Sequence, residues 1–214
     1  MYALLTSKET VQYSAVLHAI SAAAEKYQIV GCEPRRIMTD FELGIKAAIF
    51  QVYDDCNMKC CFFHLGQSVY RRIQSEGLQT AYQDTRDDTI RNQTHMLLAL
   101  AFVPIADIQC VFRKLKRSVH ESLQPVLQYF EEIYIGISAR GRRAATTPMF
   151  PPTLWNQRDA ALTGQHKTNN VSEGWHNRFR LLVGRNHPDL FSLLTEVLKE
   201  QADTDIALTE LALG

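Results

Sequence analysis

Two acids and one histidine carry the chemistry legible in this chain. Glu173 stands between Asn169, Asn170, Trp175 and His176, before an apolar helical pattern. Asp40 falls far upstream, where a short β-type run from Arg36 meets an amphipathic helix, and Cys60, Cys61, Phe62, Phe63 and His64 repeat that arrangement one unit later. An Asp directly after a strand and before a helix is well suited to accept backbone N–H bonds as an N-cap, and the same carboxylate can ligate a hard cation. Glu42 would then occupy the first helical turn, where its charge suits the helix dipole. Glu173, His176 and Asn177 fall at i, i+3 and i+4, on one face of a helix. That spacing equally fits a capped surface helix with Asn170 near its start and Trp175 buried.

Cys61 and His64 have Cys-x-x-His spacing, but structural zinc takes four ligands and no second pair follows at finger-like distance. Cys60 and Cys61 are expected on a strand, pointing to opposite faces.

The elements that must position these residues alternate. Residues 2–6 read as a short strand, and residues 8–27 as a helix whose Val11, Ala15, Leu17, Ile20 and Ala24 form one stripe. Gly31 and Pro34 end that unit. A strand over 36–39 and a helix bearing Leu43, Ala47, Ile49 and Phe50 close at Asp54 and Asp55. A third strand over 58–63 leads to a helix over 64–75 that stops near Gly77. This order predicts an α/β layer with parallel pairing, in which strand carboxyl ends, here Asp40 and His64, face the ligand crevice. From residue 78 only helices are expected: 84–102, 105–117 after the break at Pro104, and 123–135. Residues 140–152, with Gly, repeated Arg and three prolines, suit an exposed loop. Helices over 169–183 and 187–201 follow, and the last dozen residues read as weakly anchored. The expected divisions are 1–77, 78–139, 140–152 and 153–214.

The 214 residues suffice for a good core, and 23 basic side chains balance 23 acidic ones. A neutral chain does not bind nucleic acid through overall charge, so contacts with phosphate would need local clusters. Candidates are Arg71 with Arg72, residues 113–117, residues 140–143, and the series Arg178, Arg180 and Arg185, each equally readable as a solvated face. No apolar run is long enough to span a bilayer, no secretory leader is expected, and five cysteines read as reduced thiols of an intracellular protein.

Taken in order, residues 2–6, 38–42, 61–65, 150–156 and 168–176 resemble the transposase domain of Mutator-like elements, the MULE transposases. The resemblance implies an RNase H-like core, N-terminally truncated here and interrupted by an all-α insertion. It also implies a DDE-type site in which Asp, Asp and Glu bind two Mg²⁺ or Mn²⁺ ions and cut and rejoin DNA. Asp40 matches the second acid and Glu173 the third, both as catalytic metal ligands. Cys61, His64, Asn170, Trp175 and His176 are implied neighbours, and Arg178, Arg180 and Arg185 implied DNA contacts. The family's first acid lies upstream of the segment matched by residues 2–6, so the isolated chain is expected to lack it and to be inactive. Asp54 and Asp55, in a polar turn at the opposite sheet edge, are not expected to replace it. Transposon-end DNA is the implied partner, the nucleus the implied location, and a homo-oligomer stays open. The alternative is a domesticated DNA- or protein-binding module on the same scaffold, without cleavage.

Overall fold

The computed structural model describes residues 3–29, 31, 33–137, 145–168, 170–184 and 188–213. Residues 5–168 form one compact unit, and residues 169–214 with the first four residues form a second.

The first unit is built on two parallel strands, β1 (Arg36–Thr39) and β2 (Asn57–Cys60), in the register Arg36↔Asn57 to Thr39↔Cys60. The helix α1 (Thr10–Lys26) precedes them, and α2 (Leu43–Val52) makes the crossover that parallel pairing requires. After β2 the chain enters α3 (Phe62–Ser75), then the helices α4 (Gln79–Gln83), α5 (Thr89–Ala99), α6 (Ile108–Ser118) and α7 (Gln124–Phe130). A π-helical turn over Glu131–Ile135 follows, and α8 (Pro152–Trp155) and α9 (Arg158–Leu162) complete the unit. Met58 and Cys60 of β2, Leu65, Val69 and Ile73 of α3, and Phe112, Phe130 and Trp155 belong to one buried cluster. The helical stretch after residue 78 therefore shares its core with the strands. In the second unit, α10 (Asn170–Val183) and α11 (Leu190–Leu213) are the helices. The last residues, expected to be weakly anchored, continue α11, and their described side chains are mostly exposed.

Two strand expectations are corrected. Residues 3–6 are exposed and form no strand, while Tyr2 lies outside the described residues. A short apolar run alone does not distinguish a strand from other structure. Residues 153–157 pack against β2: Lys59 Nζ donates to the Thr153 carbonyl at 2.7 Å and Gln157 Nε2 to the Cys60 carbonyl at 2.8 Å. β2 also ends at Cys60 and not at Phe63. Cys61 becomes the N-cap of α3, and the Phe62 N–H at the helix start donates to the Lys167 carbonyl at 3.0 Å.

The motif over residues 150–157 is structural. Trp155 is fully buried and its indole N–H reaches the carbonyls of Tyr134 (2.9 Å) and Phe150 (3.0 Å). Asn156 Nδ2 donates to the Val103 carbonyl at 2.8 Å. Gln157, also fully buried, joins Cys60 to Ala101, whose carbonyl accepts its backbone N–H at 2.7 Å. These bonds tie the helical stretch to the carboxyl end of β2.

Gly44 shows how closely the chain before α1 approaches α2. A Cβ there would clash with the Lys8 carbonyl oxygen and sit 3.2 Å from the Tyr13 ring. Helix propensity alone favours Ala over Gly by about 1 kcal/mol, but a clash with backbone forces the packed segments apart. Gly44→Ala is expected to lower stability by about 2 kcal/mol net in urea denaturation, and an unchanged midpoint would show that the segment yields freely.

Candidate metal and nucleic-acid site

The β1–β2 ladder continues one bond past the strands, where the Cys61 N–H donates to the Thr39 carbonyl at 2.8 Å. Asp40 and Cys61 therefore leave the sheet side by side. One helical turn into α3, His64 Nδ1 comes within 3.0 Å of Asp40 Oδ1. The carboxylate is about half exposed, at 51%, and the imidazole mostly covered, at 22%. Both line an open cleft of about 790 Å³ within the first unit.

Each of the three residues at the β1–α2 junction has its own anchor. Asp40 faces the cleft. Phe41 meets the rings of Tyr134 and Phe150 edge-on, with centroids 5.3 and 5.1 Å away. Glu42 accepts from the Tyr13 hydroxyl at 2.5 Å and from Lys8 Nζ at 3.1 Å, which fastens α1 to the junction. Asp40 is not the N-cap expected from its sequence position, because α2 starts only at Leu43 with Glu42 as its cap residue. Glu42 likewise precedes the first turn, and its Tyr13 and Lys8 contacts account for it better than the helix dipole does. No local pattern announces that role, since its partners lie 29 and 34 residues away.

Below the cleft, Ser68 Oγ bonds the hydroxyls of Tyr129 (2.8 Å) and Tyr134 (2.7 Å). Burial pushes the Tyr134 phenol well above its ordinary range. Burial likewise raises the Cys60 thiol to about 12, which makes it a poor nucleophile or ligand at neutral pH. Both Cys60 and Cys61 are fully buried.

The remaining candidate residues lie on α10 in the second unit. Asn170 is its exposed first residue, Glu173 lies half-buried in the first turn, and His176 is exposed. Trp175 stacks on Phe179 with centroids 5.0 Å apart and donates from Nε1 to Glu200 Oε1 at 2.7 Å. Arg178 also donates to Glu200, a buried acid of α11 that the sequence pattern did not single out. Arg180 is exposed, and Arg185 lies outside the described residues.

Among known families, the model of the MULE transposase domain matches residues 1–68. The resemblance read from the motifs is thereby supported over the stretch that contains Asp40, Cys61 and His64. Neither the curated proteins nor the solved structures gave a match.

Two outcomes follow from these contacts. Desolvation, then the bond to Glu42 and the charges of Glu42 and Asp40, raise Tyr13 from 10.0 to about 12. A phenol held protonated in the folded state contributes stability that is complete below about pH 10 and lost as pH rises through about 12. Tyr13→Phe is expected to be less stable at pH 8 and to lose less between pH 10 and 12 than the parent, in urea denaturation at each pH. Cys60, raised in both proteins, leaves a residual alkaline loss. Arg178→Ala removes one of two donors to a buried carboxylate. It should cost about 2 kcal/mol of second-unit stability, reduced from the fully buried case because the guanidinium is half exposed. Arg180→Ala should leave thermal unfolding unchanged; equal losses from both would contradict the separate roles.

Proposed function

We propose that this chain is a transposase-derived, metal-dependent DNA-processing domain of the MULE type, with Asp40 and Glu173 as acidic metal ligands and His64 as the neighbour that orients Asp40. The observation that carries the reading is the Asp40–His64 pair at the carboxyl end of two parallel strands, inside the stretch matched by the MULE model. The residues fit a divalent ion in kind. A half-exposed carboxylate supplies the hard oxygen that Mg²⁺ and Mn²⁺ prefer, and imidazole is tolerated by Mn²⁺ more readily than by Mg²⁺. When bound, such ions supply Lewis acidity at the phosphoryl oxygens and an activated attacking oxygen.

The protein's own part is to hold the ligands still. Phe41 packs the junction onto Tyr134 and Phe150, and Glu42 ties it to α1. The Lys167 carbonyl accepts the Phe62 N–H at the start of α3 and so helps to fix the Cys61–His64 turn. Glu173, matched to the family's third acid, enters this reading through the resemblance. An RNase H-like core, transposon-end DNA as substrate, contacts through Arg180 and Arg185, and nuclear location belong to the same reading. Arg178, committed to Glu200, acts mainly by holding α10 to α11.

Mn²⁺ titration of the full chain, followed by electron paramagnetic resonance, tests the metal site. Asp40→Asn and Glu173→Gln are each expected to weaken Mn²⁺ binding at least tenfold, and His64→Ala less. Full retention in Glu173→Gln together with loss in Asp40→Asn would remove Glu173 from the site. Full retention in both would favour a binding module that does not cut.

A further inference from the structure

The face of α3 that borders the cleft is polar along its whole length. His64, Gln67, Ser68, Arg71, Arg72 and Ser75 line the cleft at i, i+3, i+4, i+7, i+8 and i+11, while Leu65, Val69 and Ile73 fill the core on the other side. At 1.5 Å per residue, the stripe from His64 to Ser75 is about 16 Å long. That equals about five nucleotide steps of duplex rise at 3.4 Å each.

The charges along the cleft are not equivalent. Lys8 is paired with Glu42, and His64 lies against Asp40. Arg72 is paired with Glu76 at 2.7 Å and lies over the Tyr129 ring. Arg71 is exposed and, among the described residues, is the cation of this cleft that no carboxylate engages. It stands two turns along α3 from the Asp40–His64 pair, with the Gln67 amide between them as a further donor.

We infer that this stripe is the track along which the phosphates of a DNA strand approach Asp40, with Arg71 as its principal phosphate contact. The inference rests on the DNA-processing reading above and adds the place of the strand, on α3 of the first unit. Arg71 supplies a cation that folding does not use. Asp40, at the other end, repels phosphate until a cation intervenes, so the strand's charge is attracted along the track and opposed at its end.

Fluorescence anisotropy with a labelled DNA duplex, in EDTA and over a salt series, tests this with the full chain. Among the described residues Arg71 has no ion-pair or hydrogen-bond partner, so Arg71→Gln should fold as the parent does, which circular dichroism can check. It is expected to reduce the slope of log K against log salt by about one, equivalent to about eightfold weaker binding at 0.1 M salt. Lys26→Gln, exposed in the last turn of α1 and outside the cleft, should leave the slope unchanged. Asp40→Asn, which removes the opposing charge, should tighten binding in EDTA. If the parent binds DNA but Arg71→Gln keeps the same slope, the track lies elsewhere and the DNA reading survives. If Arg71→Gln weakens binding and Asp40→Asn does not strengthen it, the strand does not run to Asp40. A parent chain with no salt-dependent DNA binding would overturn both the track and the reading beneath it.

Discussion

The bond from the Cys61 N–H to the Thr39 carbonyl is the constraint on which the candidate site depends. It extends the parallel ladder past the last paired residues and brings two helix starts, separated by a crossover, to the same edge of the sheet. Asp40 and His64 are then neighbours because of register alone; a one-residue slip would invert which side chains face the core. The core enforces that register from below. Met58 and Cys60 are buried while Lys59 reaches outward to the Thr153 carbonyl, and Gln157 holds the Cys60 carbonyl on the far side.

A two-stranded sheet is marginal by itself. Its stability here comes from helices packed around it, and this explains the weight of the 150–157 segment. Its Trp, Asn and Gln satisfy backbone groups of the π turn, of the residues after α5 and of β2, which are distant in sequence and would otherwise be buried without partners. Such bonds give more than net stabilisation, because leaving a buried carbonyl unmet costs more than a typical hydrogen bond contributes. The helical stretch is thereby a structural part of the strand unit. Its Tyr134, with Phe150, supplies the floor on which Phe41, and with it Asp40, is seated.

Much of this was legible in local pattern. The strand over 36–39 coincides with β1, and helix runs close to the expected 105–117 and 123–135, with Pro104 opening a short 3-10 turn; the helix expected from 84 starts only at Thr89, and α4 over Gln79–Gln83 was not expected. The failures share a cause. The N-cap reading of Asp40 and the dipole reading of Glu42 used only adjacent residues, whereas Phe41 and Glu42 are held by Tyr134, Phe150 and Tyr13, all contributed by other elements. Those tertiary contacts keep residues 40–42 out of helix until Leu43. Similarly, nothing in the sequence around Arg178 signals Glu200, because the pairing of α10 with α11 depends on how the two helices fold back. The resemblance rests on motif order over long separations, and the family model supports it over residues 1–68.

Neutral net charge and a site for polyanionic DNA are compatible once the basic side chains are sorted by what they already hold. Arg72, Arg91, Arg178 and Lys116 each have an acidic partner within the fold, so their charges are largely neutralised at short range. What reaches a ligand is the residue that folding leaves over, and over distances beyond about 10 Å even that is screened by salt. A count of Lys and Arg therefore overstates the attraction, and a total of zero understates it at one place. Along α3 the local balance changes sign from Arg71 toward Asp40, within the reach of one helix. A phosphate chain drawn by the first would meet repulsion at the second. In the proposed reading, a divalent cation held by Asp40 would offset that repulsion, so that a carboxylate at the end of a phosphate track would be a liability for simple binding and an asset for metal-assisted chemistry.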